Sequence, residues 1–289
     1  MSRLQPSARI LYCATMLGVP LAERYRAARE AGFTAVSAFT SELAEAGRSL
    51  PSLGEMRAMI EAEGLALHMV EMIASWLPGQ RADAPTLPPG LGQSLLSGTA
   101  EKVCAVARQL GARTVTAGDL FGLPFDGPMV ARHFAALCDV AADHGLGVTL
   151  EFIPAGCIAT VAQAREVLER ADRANAGMIV DSWHFFRGGS SLNDLAATPP
   201  ELIDSWQMND TTLAPRADHI FADMTLRVMP GEGEFDLKGL MQALAATGTT
   251  APGGIETFGP EMQDWPAERV ARRSAEALDY CLDLSGEPA

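Results

Sequence analysis

The sequence predicts a single (β/α)8 barrel occupying residues 1–289. Three observations lead there. Short apolar runs alternate with longer Ala-, Glu- and Arg-rich stretches whose apolar residues recur at helical spacing. Glycine marks the joints between them. Four of the later apolar runs end on a carboxylate or carboxamide, where such a fold carries its chemistry.

The runs with β character fall at 9–14, 34–38, 65–72, 113–117, 147–153, 177–181, 202–209 and 254–257. Helical spacing covers 21–31, 53–63, 94–110, 129–144, 161–171 and 237–246, with a closing helix at 267–284. Gly32, Gly64, Gly111 and Gly145 each follow a helical stretch, where a left-handed cap is expected. Strand–helix alternation at this spacing implies parallel pairing, and eight repeats imply closure. A doubly wound open sheet is the alternative, and no GxGxxG turn follows the first strand to support it. Two connections are too long for plain turns, 74–93 and 210–233. Both follow strands, so both belong to the carboxyl-terminal mouth.

Composition narrows the function classes. Thirty-six acidic against 22 basic residues give a formal charge of −14. With Lys and Arg scattered, nucleic acid is not expected as a partner. Five dispersed cysteines without a CxxC read as reduced, buried thiols, not a disulfide framework or zinc site. The first residues lack the pattern of a signal peptide, and no run approaches the roughly 20 apolar residues of a membrane span. A cytoplasmic protein with no membrane partner is expected, with homo-oligomerisation left open.

The strand ends carry the chemistry. Glu151 closes Gly147-Val148-Thr149-Leu150-Glu151, and Asp181 closes Gly177-Met178-Ile179-Val180-Asp181. Gln207 lies in the polar end of the seventh run and Glu256 in that of the eighth. Their ends are neighbours around a closed barrel, so four oxygen donors are expected to converge. Three carboxylates pressed together repel, and a divalent cation relieves them. An all-oxygen set favours Mn2+ or Mg2+, with Co2+ or Zn2+ also accepted by carboxylates. Taken singly, each acid reads equally well as an N-cap for the helix that follows.

These segments bring a family into view. Leu150-Glu151-Phe152, Asp181-Ser182-Trp183-His184, Trp206-Gln207-Met208-Asn209-Asp210, Arg227 to Glu234 and Gly254-Ile255-Glu256 resemble, in order and spacing, the xylose-isomerase-like TIM-barrel superfamily. The resemblance covers nearly the whole chain and is strongest to the sugar phosphate isomerase/epimerase branch. It implies that Glu151, Asp181, Gln207 and Glu256 bind one metal ion, and that Glu151 and Glu256 exchange roles as base and acid. Many members carry His at the position of Gln207; others, bacterial dehydroshikimate dehydratases among them, carry Gln. His184 is then a substrate contact and proton carrier, against the plainer reading of a packed structural histidine.

Around these, Arg227 offers a fixed charge for a carboxylate, phosphate or oxyanion. Trp183 offers an apolar wall and Glu232 a rim contact, although the Pro-Gly-Glu-Gly-Glu turn reads mainly as structural. His68 and Glu71 are three apart on one strand, so at most one faces inward while the strand stays regular; Glu71, nearer the mouth, is preferred as a substrate contact. The expected activity is metal-dependent isomerisation or epimerisation of a ketose, inosose or related hydroxy-ketone, by proton abstraction to an enediolate. The substrate class is a small polyol or keto acid. Dehydration, a lyase reaction, is the alternative when a β-hydroxyl is present. An endonuclease or a non-catalytic binding subunit is more remote: Ala117-Gly118-Asp119 supplies no histidine after the fourth strand, and the balance of charge is acidic.

Overall fold

The computed structural model describes residues 3–286. Eight parallel strands close into a barrel in chain order. They are β1 (Arg9–Leu11), β2 (Ala35–Phe39), β3 (Ala66–Ile73), β4 (Thr114–Gly118), β5 (Gly147–Glu151), β6 (Ala176–Asp181), β7 (Ile203–Met208) and β8 (Gly253–Ile255). The predicted fold class is therefore observed. All four glycines expected at helix ends take positive φ, the backbone region that a side chain disfavours.

Several expected strands are shorter in the structure, and two of the expected helices changed their bounds for a local reason. Helical spacing at 94–110 is broken at Gly98: Leu91–Ser97 and Ala100–Leu110 are separate helices. The fourth long helix starts earlier, as Gly127–Asp143, because the Asp126 side chain accepts from Met129 N and Pro128 fits the first turn.

The main core lies between strands and helices, where Leu67, Val70, Val115, Leu150, Val180, Trp206 and Ile255 meet buried helical residues such as Phe134 and Leu278. A separate cluster of Ile10, Tyr12, Ala35, Met69 and Ile179 fills the barrel interior. Side chains alternate between these two cores.

That alternation is interrupted between β2 and β3, between β3 and β4 at Val70/Ile73, and between β6 and β7; the first and last of these bear on His68 and Asp204. Between β2 and β3, Val36 opposes Leu67 and Ser37 opposes Met69, which leaves His68 as an extra residue. Between β6 and β7, Met178 opposes Ile203 and Ile179 opposes Ser205, which leaves Asp204 as the extra one. Each is a β-bulge, and a bulge shifts every later side chain to the other face. The reasoning that only one of His68 and Glu71 faces inward is thus corrected. Leu67 and Val70 pack outward, while His68, Met69 and Glu71 all face the interior. On β7, Ile203 and Trp206 face out, while Asp204, Ser205 and Gln207 face in.

Candidate active site

Glu151 and Asp181 end β5 and β6, Gln207 is the penultimate residue of β7, and Glu256 follows the last residue of β8. All four are buried. Asp181 also N-caps the short helix Ser182–Arg187, its Oδ1 accepting from His184 N at 2.8 Å. The plainer reading of that acid therefore holds alongside its place in the cluster. Glu151 and Glu256 cap no helix, so their burial needs another account.

Part of it is Arg227. Its guanidinium, 1% exposed, donates from Nη1 to Asp181 Oδ2 at 3.2 Å and to Glu256 Oε2 at 3.0 Å. Trp183 and Phe258 hold it between their rings, at 5.2 and 5.4 Å. The structure turns Arg227 onto the protein's own carboxylates. His184, on the first turn after Asp181, brings Nε2 to 3.0 Å from Glu151 Oε1 and 3.4 Å from Arg227 Nη2.

Glu71 enters from β3. Its Oε1 accepts from the Cys13 thiol at 3.8 Å. Burial, reinforced by Glu151, pushes its carboxyl up to about 8 despite hydrogen bonding from Ser37, Glu256 and Cys13. Burial and the charges of Glu71, Asp181 and Glu151 hold Glu256 well above the usual carboxylate range, though Arg227 opposes them. Burial and crowding thus oppose ionisation of Glu71 and Glu256.

Two neighbours missed in the sequence fix Asp181. Asn209 Nδ2 donates to Asp181 Oδ2 at 2.8 Å, and the Ser182 hydroxyl donates to Asn209 Oδ1 and O. Both residues lie inside motifs already singled out, which was the available signal. Asp210 was also undervalued. Its carboxylate accepts from the backbone N–H of Thr211, Gly231 and Phe235, folding the Pro-Gly-Glu-Gly-Glu turn onto β7. Gly233 permits this, because a Cβ there would collide with Asp210 and Thr211.

Not every candidate joins the site. Glu232 is exposed and pairs with Arg273 of the closing helix at 2.8 Å, so it makes no rim contact in this arrangement. Trp183 is fully buried and faces a small apolar space over the mouth with Leu120, Ile153, Ala155, Ile220, Phe221 and Met224. The roof segment Ile220–Met224 is tied down by Asp223, which pairs with Arg187 at 2.8 Å and accepts from Arg216 N. The five cysteines are buried free thiols. A cavity of about 820 Å3 opens at the opposite, amino-terminal end of the barrel beside Arg113, Asn175 and Asp204, remote from the acids.

The donor set can be tested against a metal ion. Among the described residues no three His, Cys, Asp or Glu side chains already stand in a metal-gripping arrangement; Arg227 and His184 engage the acids instead. The chemistry nevertheless fits a hard divalent cation. Gln207 Oε1 is buried without a hydrogen-bond partner, which is costly for a neutral acceptor, and the other oxygen donors, Glu151, Asp181 and Glu256, are buried at the ends of β5, β6 and β8.

Residues 25–281 match the family described as xylose isomerase-like TIM barrel. The chain belongs to that family. Among relatives, an inosose isomerase of Bacillus licheniformis is 32% identical over 142 residues, 48% of this chain and 50% of that protein. A 3-dehydroshikimate dehydratase of Pseudomonas aeruginosa is 29% identical over 194 residues, 65% of this chain and 30% of that protein. The chain thus spans about half the length, or less, of these two relatives. The crystal structure of the IOLI protein with a binding zinc atom superposes with a TM-score of 0.81 at 20% identity, covering 96% of this chain and 98% of that one. At that identity the likeness is one of fold. No helix among the described residues is long and apolar enough to cross a membrane.

Proposed function

We propose that this xylose isomerase-like barrel is a divalent-metal-dependent isomerase or epimerase of a ketose, inosose or related hydroxy-ketone. The observation that carries it is that Glu151, Asp181 and Glu256 lie buried at the carboxyl ends of their strands, the end where Gln207 keeps a buried oxygen without a partner. Those four residues would hold the ion, with Mn2+ or Mg2+ favoured by the oxygen donors and Co2+ or Zn2+ tolerated. When bound, it would polarise a substrate carbonyl and acidify the adjacent C–H.

The chain's own groups supply the rest. Glu151 takes the proton from carbon, and His184 Nε2, at 3.0 Å, shares that proton with Glu151 Oε1. Glu256, on the far side of the mouth, returns a proton to the opposite face. Arg227 keeps Asp181 and Glu256 in place and presents Nη2 towards His184. Trp183 and the segment Ile220–Met224 keep water from the reacting carbon. The inosose isomerase relative supports this substrate class.

A dehydratase is the second reading, favoured by Gln207 and by the 3-dehydroshikimate dehydratase relative. Both reactions begin with the same proton abstraction and differ in whether a β-hydroxyl then leaves.

Metal quantitation on purified protein, followed by solvent-deuterium exchange into ketoses, inososes and dehydroshikimate, tests the reading. Near-stoichiometric divalent metal and metal-dependent exchange are expected. Loss of water from dehydroshikimate without exchange into the polyols selects the dehydratase. No metal and no exchange into any compound overturns both.

A further inference from the structure

The bulge of β3 against β2 and that of β7 against β6 do more than share a barrel: their extra residues meet. His68 on β3 and Asp204 on β7 lie on opposite sides of the sheet. Across the interior, His68 Nε2 stands 3.6 Å from Asp204 Oδ2. The Thr149 hydroxyl of β5 donates to the same oxygen at 2.7 Å. His68 is 5% exposed.

The surroundings are shaped for this pair. Gly177 on β6 opposes Thr149 on β5. A Cβ at Gly177 would lie 2.8 Å from Asp204 Cβ, nearer than real Cβ contacts allow. Glycine is therefore required where Asp204 turns inward. Burial raises the Asp204 carboxyl, but His68, the Thr149 hydroxyl and Arg113 outweigh it and leave it below the usual range.

Position along the strands gives the pair its consequence. Glu71 lies three residues beyond His68, and Gln207 three beyond Asp204. In a regular strand, residues three apart face opposite sides. Without the extra residue, an outward Leu67 would put Glu71 outward, and an outward Ile203 would put Gln207 into the helix-facing core. We infer that His68 and Asp204 form a cross-barrel brace that holds both bulges and thereby keeps Glu71 and Gln207 turned into the mouth. They are positioning residues and touch no reacting atom. The inference rests on the proposed metal reading only in its last consequence, the affinity of the site for the ion.

The test separates brace from metal. Backbone hydrogen exchange, read by peptide mass, is compared for the parent, His68→Ala, Asp204→Ala and the double variant, with Mn2+ titration of each. Each single variant is expected to speed exchange at least tenfold in both 69–72 and 205–208, on opposite sides of the barrel, while β1 and β5 keep parental rates. The double variant should add little to either single one. Mn2+ affinity should fall about tenfold, as in Gln207→Ala, and His68→Gln or Asp204→Asn should recover most of it. If an alanine variant does not fold, these conservative variants carry the exchange comparison, each loosening both strands by a smaller factor.

Loosening of only the mutated strand, or of all strands equally, overturns the brace. Loosening of both strands with parental Mn2+ affinity overturns the positioning role, provided that Gln207→Ala weakens Mn2+. If Gln207→Ala itself binds Mn2+ as the parent does, the metal reading falls and exchange alone decides the brace.

Discussion

Two polar layers occupy the same barrel, separated by Ile10, Met69 and Ile179, and their carboxylates behave in opposite ways. In the lower layer Asp204 has His68, Thr149 and Arg113 for company and falls below the usual carboxylate range. In the upper layer Glu71 and Glu256 are more deeply buried than the half-buried Asp204, crowd other acids, and rise. The residue type is similar; the supply of partners differs. An acid with its charge satisfied serves structure, whereas deeply buried, crowded acids are poised to receive positive charge from outside.

The comparison breaks first at the upper layer. Glu151→Gln keeps the side chain's shape and removes the base. Solvent-deuterium exchange into the best substrate should drop about 10²–10⁴-fold, and a rate equal to the parent's would remove Glu151 from the mechanism. Next is Arg227→Met, which strips Asp181 and Glu256 of their buried cation. Losing one member of such a pair costs about 3–5 kcal/mol, so urea unfolding of the metal-free protein should shift by that amount. A midpoint within error of the parent's would mean that Arg227 does not hold the acids.

The lower layer answers to smaller changes. Gly177→Ala forces a methyl group against Asp204, and overpacking of this kind costs about 1–3 kcal/mol. Thermal melting of Gly177→Ala in the parent and in an Asp204→Gly background checks it, because glycine removes the Cβ that the new methyl group would meet at 2.8 Å, and the alanine should then cost less. The smallest effect is one of pH. A carboxyl held below its unfolded pKa adds stability that is fully present above the ordinary value, about 3.9. That stability is lost as pH falls through the folded value. Asp204→Asn should therefore be less stable than the parent at pH 7, and the gap should close in acid. A gap constant from pH 7 to pH 3 contradicts the assignment.

The barrel and its mouth were legible because their signals are local. Gly111 ends a helix whatever lies around it, and a strand such as 147–151 that finishes on Glu announces itself. The break at Gly98 was harder, since apolar spacing continues across it and only Thr99, opening the second helix, betrays the restart. The bulges were not legible. In Leu67-His68-Met69-Val70-Glu71 the adjacent apolar Met69 and Val70 break strict alternation, but the register that makes His68 an extra residue exists only in pairing with β2. Arg227 illustrates the same limit: its charge was visible, but its target lay on strands far away in sequence. The functional assignments of Glu151, Asp181, Gln207, Glu256 and His184 came from their motifs, and the experiments above are what test them.

The brace between His68 and Asp204 has a meaning for assembly as well as for geometry. It joins the third strand to the seventh, nearly half the chain away, so no fragment ending before β7 contains both halves. Contacts that distant in sequence close late, after the loop entropy of the intervening units has been overcome. During synthesis, β3 and β4 can pair while β7 has yet to emerge. The inward turn of Glu71 is thus made secure by the arrival of the strand that bears Gln207, and of the mouth's oxygens only Glu256, just after β8, arrives later still.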